Sequence, residues 1–182
     1  TSFKDVAADH WASGYINLAT QNGIINGYGD GNFGPEDKVT YEQAVKMLVC
    51  ALGFEPMAAN KGGYPTGYLV VANQYKITAG VKSSVEAPRK TVAQLVYNAL
   101  TTPMMDQTSY GTDAAWEVLD GKNDREYKTL LTDMDVYIAT GVVGAKVQGE
   151  DKVDFSIKES SDDYEFGVKG EVEKKDGYNK LY

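Results

Sequence analysis

Apolar residues near the start of the chain recur at helical spacing. Trp11, Tyr15 and Leu18 fall on one face of a predicted helix, and Asp9 is placed to cap its start. Gly23 follows the last of these turns and supplies the left-handed residue at which helices commonly end. The pattern therefore predicts a first helix that buries its aromatic face and stops before Gly23.

A glycine-rich stretch, residues 27–35, separates this helix from a second one. Four of its nine residues are glycines, so it is predicted to be a loop, with Phe33 as its anchor on the core. Thr40 followed by Gln43 forms a capping box, and Gly53 marks the end of the second helix. This second helix is predicted to bury the apolar residues Ala44, Met47, Leu48, Ala51 and Leu52.

The segment 56–102 repeats the segment 3–54 in a weaker form. Tyr64 aligns with Trp11 at an offset of 53, and Ala99 aligns with Ala51 at an offset of 48. The second copy has therefore lost five residues, which fall in the glycine-rich loop. Two such hairpins are predicted to bury their apolar faces against each other, because either one alone is too small to hold a core.

Beyond Pro103 the helical periodicity gives way to alternation. Residues 153–157 alternate as a strand with one buried face, and so do residues 164–172. Residues 136–147 are a further candidate strand, with glycines that suggest a bulge, and residues 126–131 fit either a short helix or a strand. The predicted fold class is α+β, with two helix–loop–helix hairpins followed by a small antiparallel β region.

Charge changes at the same point in the chain. Residues 1–105 contain eight acidic and eight basic residues, whereas residues 106–182 contain eighteen acidic and ten basic residues and carry the whole net charge of −8. This step predicts a boundary near Pro103, between a domain of residues 1–105 and an acidic, β-rich domain or partial domain of residues 106–182. The sequence has no basic stripe to neutralise phosphates, which argues against a nucleic-acid partner.

Residue types that carry chemistry are sparse. The single histidine, His10, and the single cysteine, Cys50, exclude multi-histidine zinc sites and zinc clusters. The loop that starts at Asp30 has Tyr41 where a calcium-binding loop needs its glutamate, and no Gly-x-Ser-x-Gly motif occurs. The sequence therefore predicts no enzyme, no metal, no cofactor and, in the absence of a long apolar run, no membrane span. Cys50 is predicted to be a buried structural thiol.

The motifs of residues 3–54 resemble the S-layer homology domain, by which Gram-positive surface proteins attach to secondary cell-wall polysaccharide. The segment 64–100 resembles a degenerate second member, and only two repeats are visible where the family commonly has three. The resemblance in the first repeat is carried, in order, by Phe3-Lys4-Asp5-Val6, His10-Trp11, Tyr15-Ile16, Gly23-Ile24-Ile25-Asn26-Gly27-Tyr28, Asp30-Gly31-Asn32-Phe33-Gly34-Pro35, Val39-Thr40 and Glu42.

This resemblance implies a non-catalytic anchoring module that binds an anionic, often pyruvylated wall sugar in grooves between neighbouring repeats. The family's best-known binding residue is an arginine after the threonine that opens the second helix. Tyr41 stands at that position in the first repeat, and Arg89, preceded by Pro88, stands there in the second. A ketal carboxylate needs a planar bidentate donor near a helix N-terminus, which Arg89 supplies and Tyr41 does not.

Three further residues carry over as candidate sugar-binding positions: Asp5, Trp11 and Gly27. Trp11 and Asp5 each have a structural alternative. Trp11 leads the apolar stripe of its predicted helix, which favours core packing over ligand contact, and a turn residue that bonds its own backbone is favoured for Asp5 over an acceptor for a sugar hydroxyl. Because Tyr41 cannot supply the bidentate donor, it could contact a sugar only by stacking on one face of the ring or by donating a single hydrogen bond.

The resemblance also implies an extracellular location at the cell wall, with secondary cell-wall polysaccharide as the partner and other S-layer subunits as further candidates. Two alternatives remain open. Degenerate repeats can keep the fold and serve as a structural or protein-interaction module, which Tyr41 favours. The chain can also be the accessory part of a larger surface hydrolase, since it is expected to be a fragment of a longer protein.

Overall fold

The computed structural model describes residues 3–109, 114–123, 125–136, 141–146, 153–157, 173–175 and 178–180. The chain divides into two compact units, Thr1–Asp135 and Val136–Tyr182. Five α-helices and three antiparallel hairpins occur within the described ranges, which confirms the α+β class.

The first unit contains all of these helices. They are α1 Ser13–Gln21, α2 Tyr41–Ala51, α3 Glu55–Asn60, α4 Thr66–Gln74 and α5 Arg89–Leu100, followed by the hairpin of β1 Met105–Ser109 and β2 Ala115–Val118 and a short 3-10 helix, Thr132–Met134. Residues 126–131, which fitted either a helix or a strand, form neither; Tyr127 makes an isolated bridge to Asp120.

The second unit contains two further hairpins. Strand β3, Gly141–Lys146, pairs with β4, Val153–Ile157, and β5, Glu173–Lys175, pairs with β6, Tyr178–Lys180. Strand β4 is the strand predicted at 153–157, β3 falls inside the predicted 136–147 segment, and its register shifts next to Gly144 as a bulge would require. The predicted strand at 164–172 lies outside the described residues.

Local capping chemistry defines the helix ends. The Thr40 hydroxyl accepts from the Gln43 N–H and the Gln43 side chain accepts from the Thr40 N–H, so the predicted capping box of α2 is confirmed. Helix α1 ends before Gly23, whose φ is +69°. Its start was predicted wrongly: it begins at Ser13, where Ala12 donates to the His10 ring and Asp9 has no capping role.

The main core lies between α2, α4 and α5, with Phe54 and Ile77 among its fully buried side chains. A second, smaller apolar cluster of Phe3, Val6 and Ile16 lies under the glycine-rich loop. Phe33 packs on it with its ring 5.4 Å from that of Phe3, which confirms Phe33 as the loop anchor. The apolar face of α2 was predicted in part: Ala44 and the following Leu52 are buried as predicted, whereas Met47, Leu48 and Ala51 are half-buried and the other buried residues of the helix are Tyr41, Val45 and Val49.

The burial predicted for the first helix is also wrong. Ile16 is the large side chain that α1 buries, whereas Trp11, Tyr15 and Leu18 face outward. Helical spacing identifies a stripe, but the neighbouring elements decide which stripe is covered, and Phe3 and Val6 cover the Ile16 face.

The hairpin of β1 and β2 belongs to the same compact unit as the five helices. Met105 is buried in the helical core, and its N–H donates to the Leu52 carbonyl at 2.8 Å. The division at residue 135 therefore differs from the boundary that the charge step predicts near Pro103, because β1 is packed against the end of α2.

Candidate functional site

Asp5 holds the glycine-rich loop in place. Its Oδ1 accepts from the Phe33 N–H at 2.9 Å and its Oδ2 accepts from the Gly34 N–H at 2.7 Å. The hydrogen bond from Gly34 is the main cause that holds the pKa of Asp5 below its ordinary value, with partial desolvation opposing it and Phe33 lowering the pKa further. Asp5 therefore accepts hydrogen bonds from backbone 28 and 29 residues away, which differs from the turn that bonds its own backbone in the structural alternative, and its role toward a sugar stays a prediction.

Gly27 lies where the loop crosses Phe3. Its φ is +65°, and a Cβ there would lie 2.5 Å from a Phe3 ring carbon and 2.6 Å from the Asn32 carbonyl oxygen. A side chain cannot be accommodated at this position, so Gly27 can contact a ligand only through its backbone N–H and C=O groups.

A cavity of about 410 Å³, here called the loop groove, opens between the loop (residues 24–28 and 33–39), α2 and Tyr64. This volume falls in the range of small-molecule sites. Ile24, Ile25 and Met47 contribute apolar surface, and two tyrosines, Tyr28 and Tyr64, line it with rings that are each about half exposed.

Polar groups stand at separate points of the loop groove. The Tyr28 hydroxyl donates to Asp37 Oδ2 at 2.7 Å, and this hydrogen bond raises the pKa of Tyr28. The Lys46 ammonium lies 5.7 Å from the centre of the Tyr64 ring and 5.8 Å from that of Tyr68, within the range of a cation–π contact. Within the described residues, no carboxylate lies at ion-pair distance from Lys46.

A second cavity, about 560 Å³ and here called the cap groove, lies where the starts of α2 and α5 meet. The Ala87 N–H donates to the Val39 carbonyl at 2.9 Å, and Thr40 and Glu86 form a bridge, so the two segments run side by side. Lys38 pairs with Glu86 at 2.9 Å. Lys38 and Val39 line both grooves, which are therefore adjoining.

Arg89 is the first residue of α5 and lines the cap groove with its side chain exposed. No hydrogen bond or ion pair engages that side chain in the part of the chain that the structure describes. The N-cap of α5 is Pro88, which has no side-chain acceptor, so no side-chain hydrogen bond caps the N–H groups of the first turn.

The other two predicted site residues lie elsewhere. Tyr41 is only 5% exposed in the main core, and burial raises its pKa, so stacking on a sugar is excluded for this side chain as it stands. Trp11 precedes α1, is 79% exposed and is not among the residues that line either groove, so its predicted core packing is wrong. The structure thus places Gly27 in the loop groove and Arg89 in the cap groove, and brings neither to Trp11.

Cys50 belongs to the packing and not to either groove. Burial is the main cause that raises the pKa of its thiol to about 11, and Glu55 raises it further. The thiol therefore stays protonated near neutral pH, although Cys50 is half-buried and not fully buried as predicted. Among the described side chains, no group of three His, Cys, Asp or Glu residues is placed to hold a metal ion. None of the described helices has the length and apolarity to cross a membrane.

Sequence reasoning missed Lys46 and Tyr64 as a pair. They are 18 positions apart: Lys46 is on α2 and Tyr64 lies just before α4, so their contact depends on how these segments pack in the fold. The available signal was the repeat alignment, which pairs Tyr64 with another aromatic residue, Trp11.

Comparison with known proteins gives a family match and several relatives. Residues 2–45 match the S-layer homology domain. The chain is 33% identical over 137 residues, 74% of its length, to the surface layer protein of Brevibacillus choshinensis. It is 30% identical over 157 residues, 86% of its length, to the middle cell wall protein of Brevibacillus brevis. It is 32% identical over 136 residues, 72% of its length, to a cell surface protein of Thermoanaerobacter kivui.

These relatives are much longer than the chain. The matched regions span 12%, 14% and 17% of the three proteins, respectively. The domain match and the relatives' names confirm the predicted location outside the cell at its surface, and they support a role in cell-surface anchoring.

Proposed function

We propose that this chain, of which residues 2–45 are an S-layer homology domain, anchors its parent protein by binding an acidic secondary cell-wall polysaccharide. The binding part is residues 1–105, and the role is non-catalytic. The acidic β region that follows links to, or begins, a displayed part of the protein. The observation that carries the proposal is the exposed Arg89 at the open start of α5.

The chemistry of this position suits a carboxylate. A guanidinium offers two parallel N–H donors to the two oxygens of a carboxylate, and charge-assisted hydrogen bonds of this kind are the strong ones. The uncapped N–H groups of α5 add a favourable dipole for an anion. A pyruvyl ketal on a wall sugar presents such a carboxylate next to a pyranose ring.

The helical pairs α1–α2 and α4–α5 support the two-repeat organisation that this function implies. Each pair consists of a helix, a connecting segment and a second helix, and the two connecting segments meet at the Thr40–Glu86 bridge. We take the two pairs as a first S-layer homology repeat and a diverged second one, with the cap groove between the starts of their second helices.

The test is retention by purified, insoluble cell-wall material carrying its secondary polysaccharide. Arg89→Ala is expected to bind about tenfold to a hundredfold more weakly, which corresponds to the loss of about 1.4 to 2.7 kcal/mol. Arg89→Lys is expected to recover part of the binding. Lys82→Ala removes the same charge from an exposed position outside both grooves and should bind as wild type. Wild-type chain that is not retained would overturn the proposal.

One observation favours the alternative of a structural or protein-interaction module. Tyr41 is buried where the resemblance implies an arginine, so the first repeat lacks that anion contact. The exposed stripe of Trp11, Tyr15 and Leu18 would then be a protein-binding surface, for example toward other S-layer subunits. Failure of the wild-type chain to bind wall polysaccharide is the result that selects this alternative.

A further inference from the structure

We propose that copies of this chain associate head to tail, with the outer face of α1 on one copy packing against the outer face of α5 on the next. The outer face of α1 is formed by Tyr15 and Leu18, and that of α5 by Ala93 and Tyr97. The inference goes beyond the proposed function and does not depend on it, because it concerns a contact between protein chains and needs no sugar.

Helix α1 is the one described helix that packs on no other helix. Its buried side chain, Ile16, lies against Phe3 and Val6 of the N-terminal segment. On its other side, Tyr15 and Leu18 are 73% and 58% exposed. Single exposed apolar side chains are normal on a protein surface, so this exposure alone does not identify an interface.

The internal repeat shows what covers the same face in the second helix pair. Tyr15 aligns with Tyr68 of α4 at the offset of 53, and Leu18 stands in the same relation to Val71. Tyr68 is 6% exposed and Val71 is fully buried, because α4 packs on α2. The Lys46 ammonium of α2 lies 5.8 Å from the centre of the Tyr68 ring. The face that α1 leaves open is therefore the face through which α4 contacts another helix.

Helix α5 leaves the matching face open. Ala93 aligns with Val45 of α2 at the offset of 48, and Tyr97 stands in the same relation to Val49. Both valines are fully buried in the core that α2 and α4 share. Ala93, in contrast, is exposed, and Tyr97 is 70% exposed. Both sides of the α2–α4 contact thus have an open counterpart, one on α1 and one on α5.

The two open faces do not touch each other in the described part of the chain. A second copy can therefore place its α5 on α1 in the way that α2 lies on α4. Gln94 stands on α5 where Lys46 stands on α2, so it faces the Tyr15 ring of the neighbouring copy in this arrangement. The amide nitrogen of Gln94 donates to Asn98 at 2.9 Å, which leaves its side-chain oxygen to accept from the Tyr15 hydroxyl.

The contact joins two different faces and is therefore heterologous. Each added copy leaves one α1 face and one α5 face open, so association continues as a linear series or until a ring closes. Residues 1–105 contain eight acidic and eight basic residues, so net charge does not oppose the contact. The faces are small, and we expect a dissociation constant on the order of 100 μM.

The test measures the mass of the whole chain by analytical ultracentrifugation without polysaccharide, from about 10 μM to about 1 mM at about 0.15 M salt. Wild type is expected to shift from single chains to dimers and larger species. Leu18→Lys and Tyr97→Lys each block one face and should self-associate at least about tenfold more weakly. Val85→Lys makes the same change of charge at an exposed position outside both faces and should associate as wild type.

A mixture of the two blocked variants tests the direction of the contact. Leu18→Lys keeps an intact α5 face and Tyr97→Lys keeps an intact α1 face, so an equimolar mixture should form dimers and nothing larger. Circular dichroism checks that each variant is folded. Tyr15→Lys and Ala93→Lys block the same two faces and replace a variant that is not.

Three results would overturn the proposal. The first is a wild-type chain that stays single up to about 1 mM, ten times the expected dissociation constant. The second is a folded variant with one blocked face that associates as wild type. The third is a mixture of the blocked variants that forms no dimer although wild type associates. Dimers that appear only in the mixture support the contact between α1 and α5.

Discussion

Asp5 binds the backbone of Gly34 across 29 positions of sequence, with the N–H of Gly34 donating to Oδ2 at 2.7 Å. This contact closes the glycine-rich loop onto the N-terminal segment and sets the shape of the loop groove, which Gly34 lines. Asp5, a predicted sugar-binding residue, thus fixes the backbone that forms part of the groove wall.

Replacing Asp5 with Asn should lower thermal stability at neutral pH. The carboxylate accepts two backbone N–H groups, whereas the amide can accept only one and turns a donor toward the other. Because the folded-state pKa of Asp5 is depressed, the contribution of its ionised form is present above the ordinary pKa of about 3.9 and is lost as the pH falls through the lower folded value. The melting temperatures of the two proteins should therefore converge below pH 4 in a circular dichroism series. A constant difference between pH 6 and pH 2.5 would contradict the ionised contact.

Gly53 and Gly23 end their helices in the same left-handed conformation but in different surroundings. Their φ angles are +81° and +69°, so Ala costs about 1 kcal/mol at either one from backbone strain alone. A Cβ at Gly53 would clash with the Met105 carbonyl oxygen, whereas a Cβ at Gly23 meets nothing within 4 Å. Gly53→Ala should therefore destabilise by a further 1–3 kcal/mol or so relative to Gly23→Ala, as measured by urea unfolding. Equal losses in the free energy of unfolding for the two variants would contradict this expectation. They would mean that β1 moves away and relieves the clash at position 53.

Restoring the family's arginine at Tyr41 should harm the protein and gain no binding. Tyr41 is 5% exposed, and an arginine there would bury an unpaired charge, at a cost of about 3 kcal/mol or more. Tyr41→Phe keeps the volume and should cost less than about 1.5 kcal/mol. Chemical unfolding of both variants, with wall binding measured on the folded fraction, provides the check. A stable Tyr41→Arg chain with stronger binding would show that the start of α2 can open.

Trp11→Ala should leave stability nearly unchanged despite the size of the side chain. Trp11 is 79% exposed, and substitutions of such surface residues are usually within about 0.5 kcal/mol. Phe54→Ala is the contrasting variant, since Phe54 is fully buried and its loss should cost about 3–5 kcal/mol. If Trp11→Ala instead unfolds the chain or changes its association state in light scattering, the surface around Trp11 is covered in solution.

The features that depend on neighbouring residues in sequence were predictable. The capping box of Thr40 and Gln43, the stop at Gly23 and the strand at 153–157 each follow from chemistry within a few positions. The buried face of each helix was not predictable, because amphipathic spacing is compatible with several apolar stripes. The packing of neighbouring elements determines which stripe is covered. Trp11 and Tyr41 show this, since the expected core residue is exposed and the expected surface residue is buried.

The candidate site was predictable only in part, for a related reason. Alignment of the two repeats singled out Arg89, which is exposed at the start of α5 as its pattern predicted, and its role in binding stays a prediction. Lys46 carries no local signal, because it stands in the middle of a helix among apolar neighbours. Its place beside Tyr64 and Tyr68 comes from how α4 packs on α2, which no spacing in the sequence specifies.

The hydrogen bond from the Met105 N–H to the Leu52 carbonyl affects where the chain can be cut for fusion to another protein. A fusion tag meant to direct a foreign enzyme to the wall would naturally be cut where the charge changes, near Pro103. Such a tag would lack the strand that caps α2 and fills part of the core beside Phe54. The compact unit ends at Asp135, so a fusion that is to keep this packing has to include the hairpin of β1 and β2 as well as the helices.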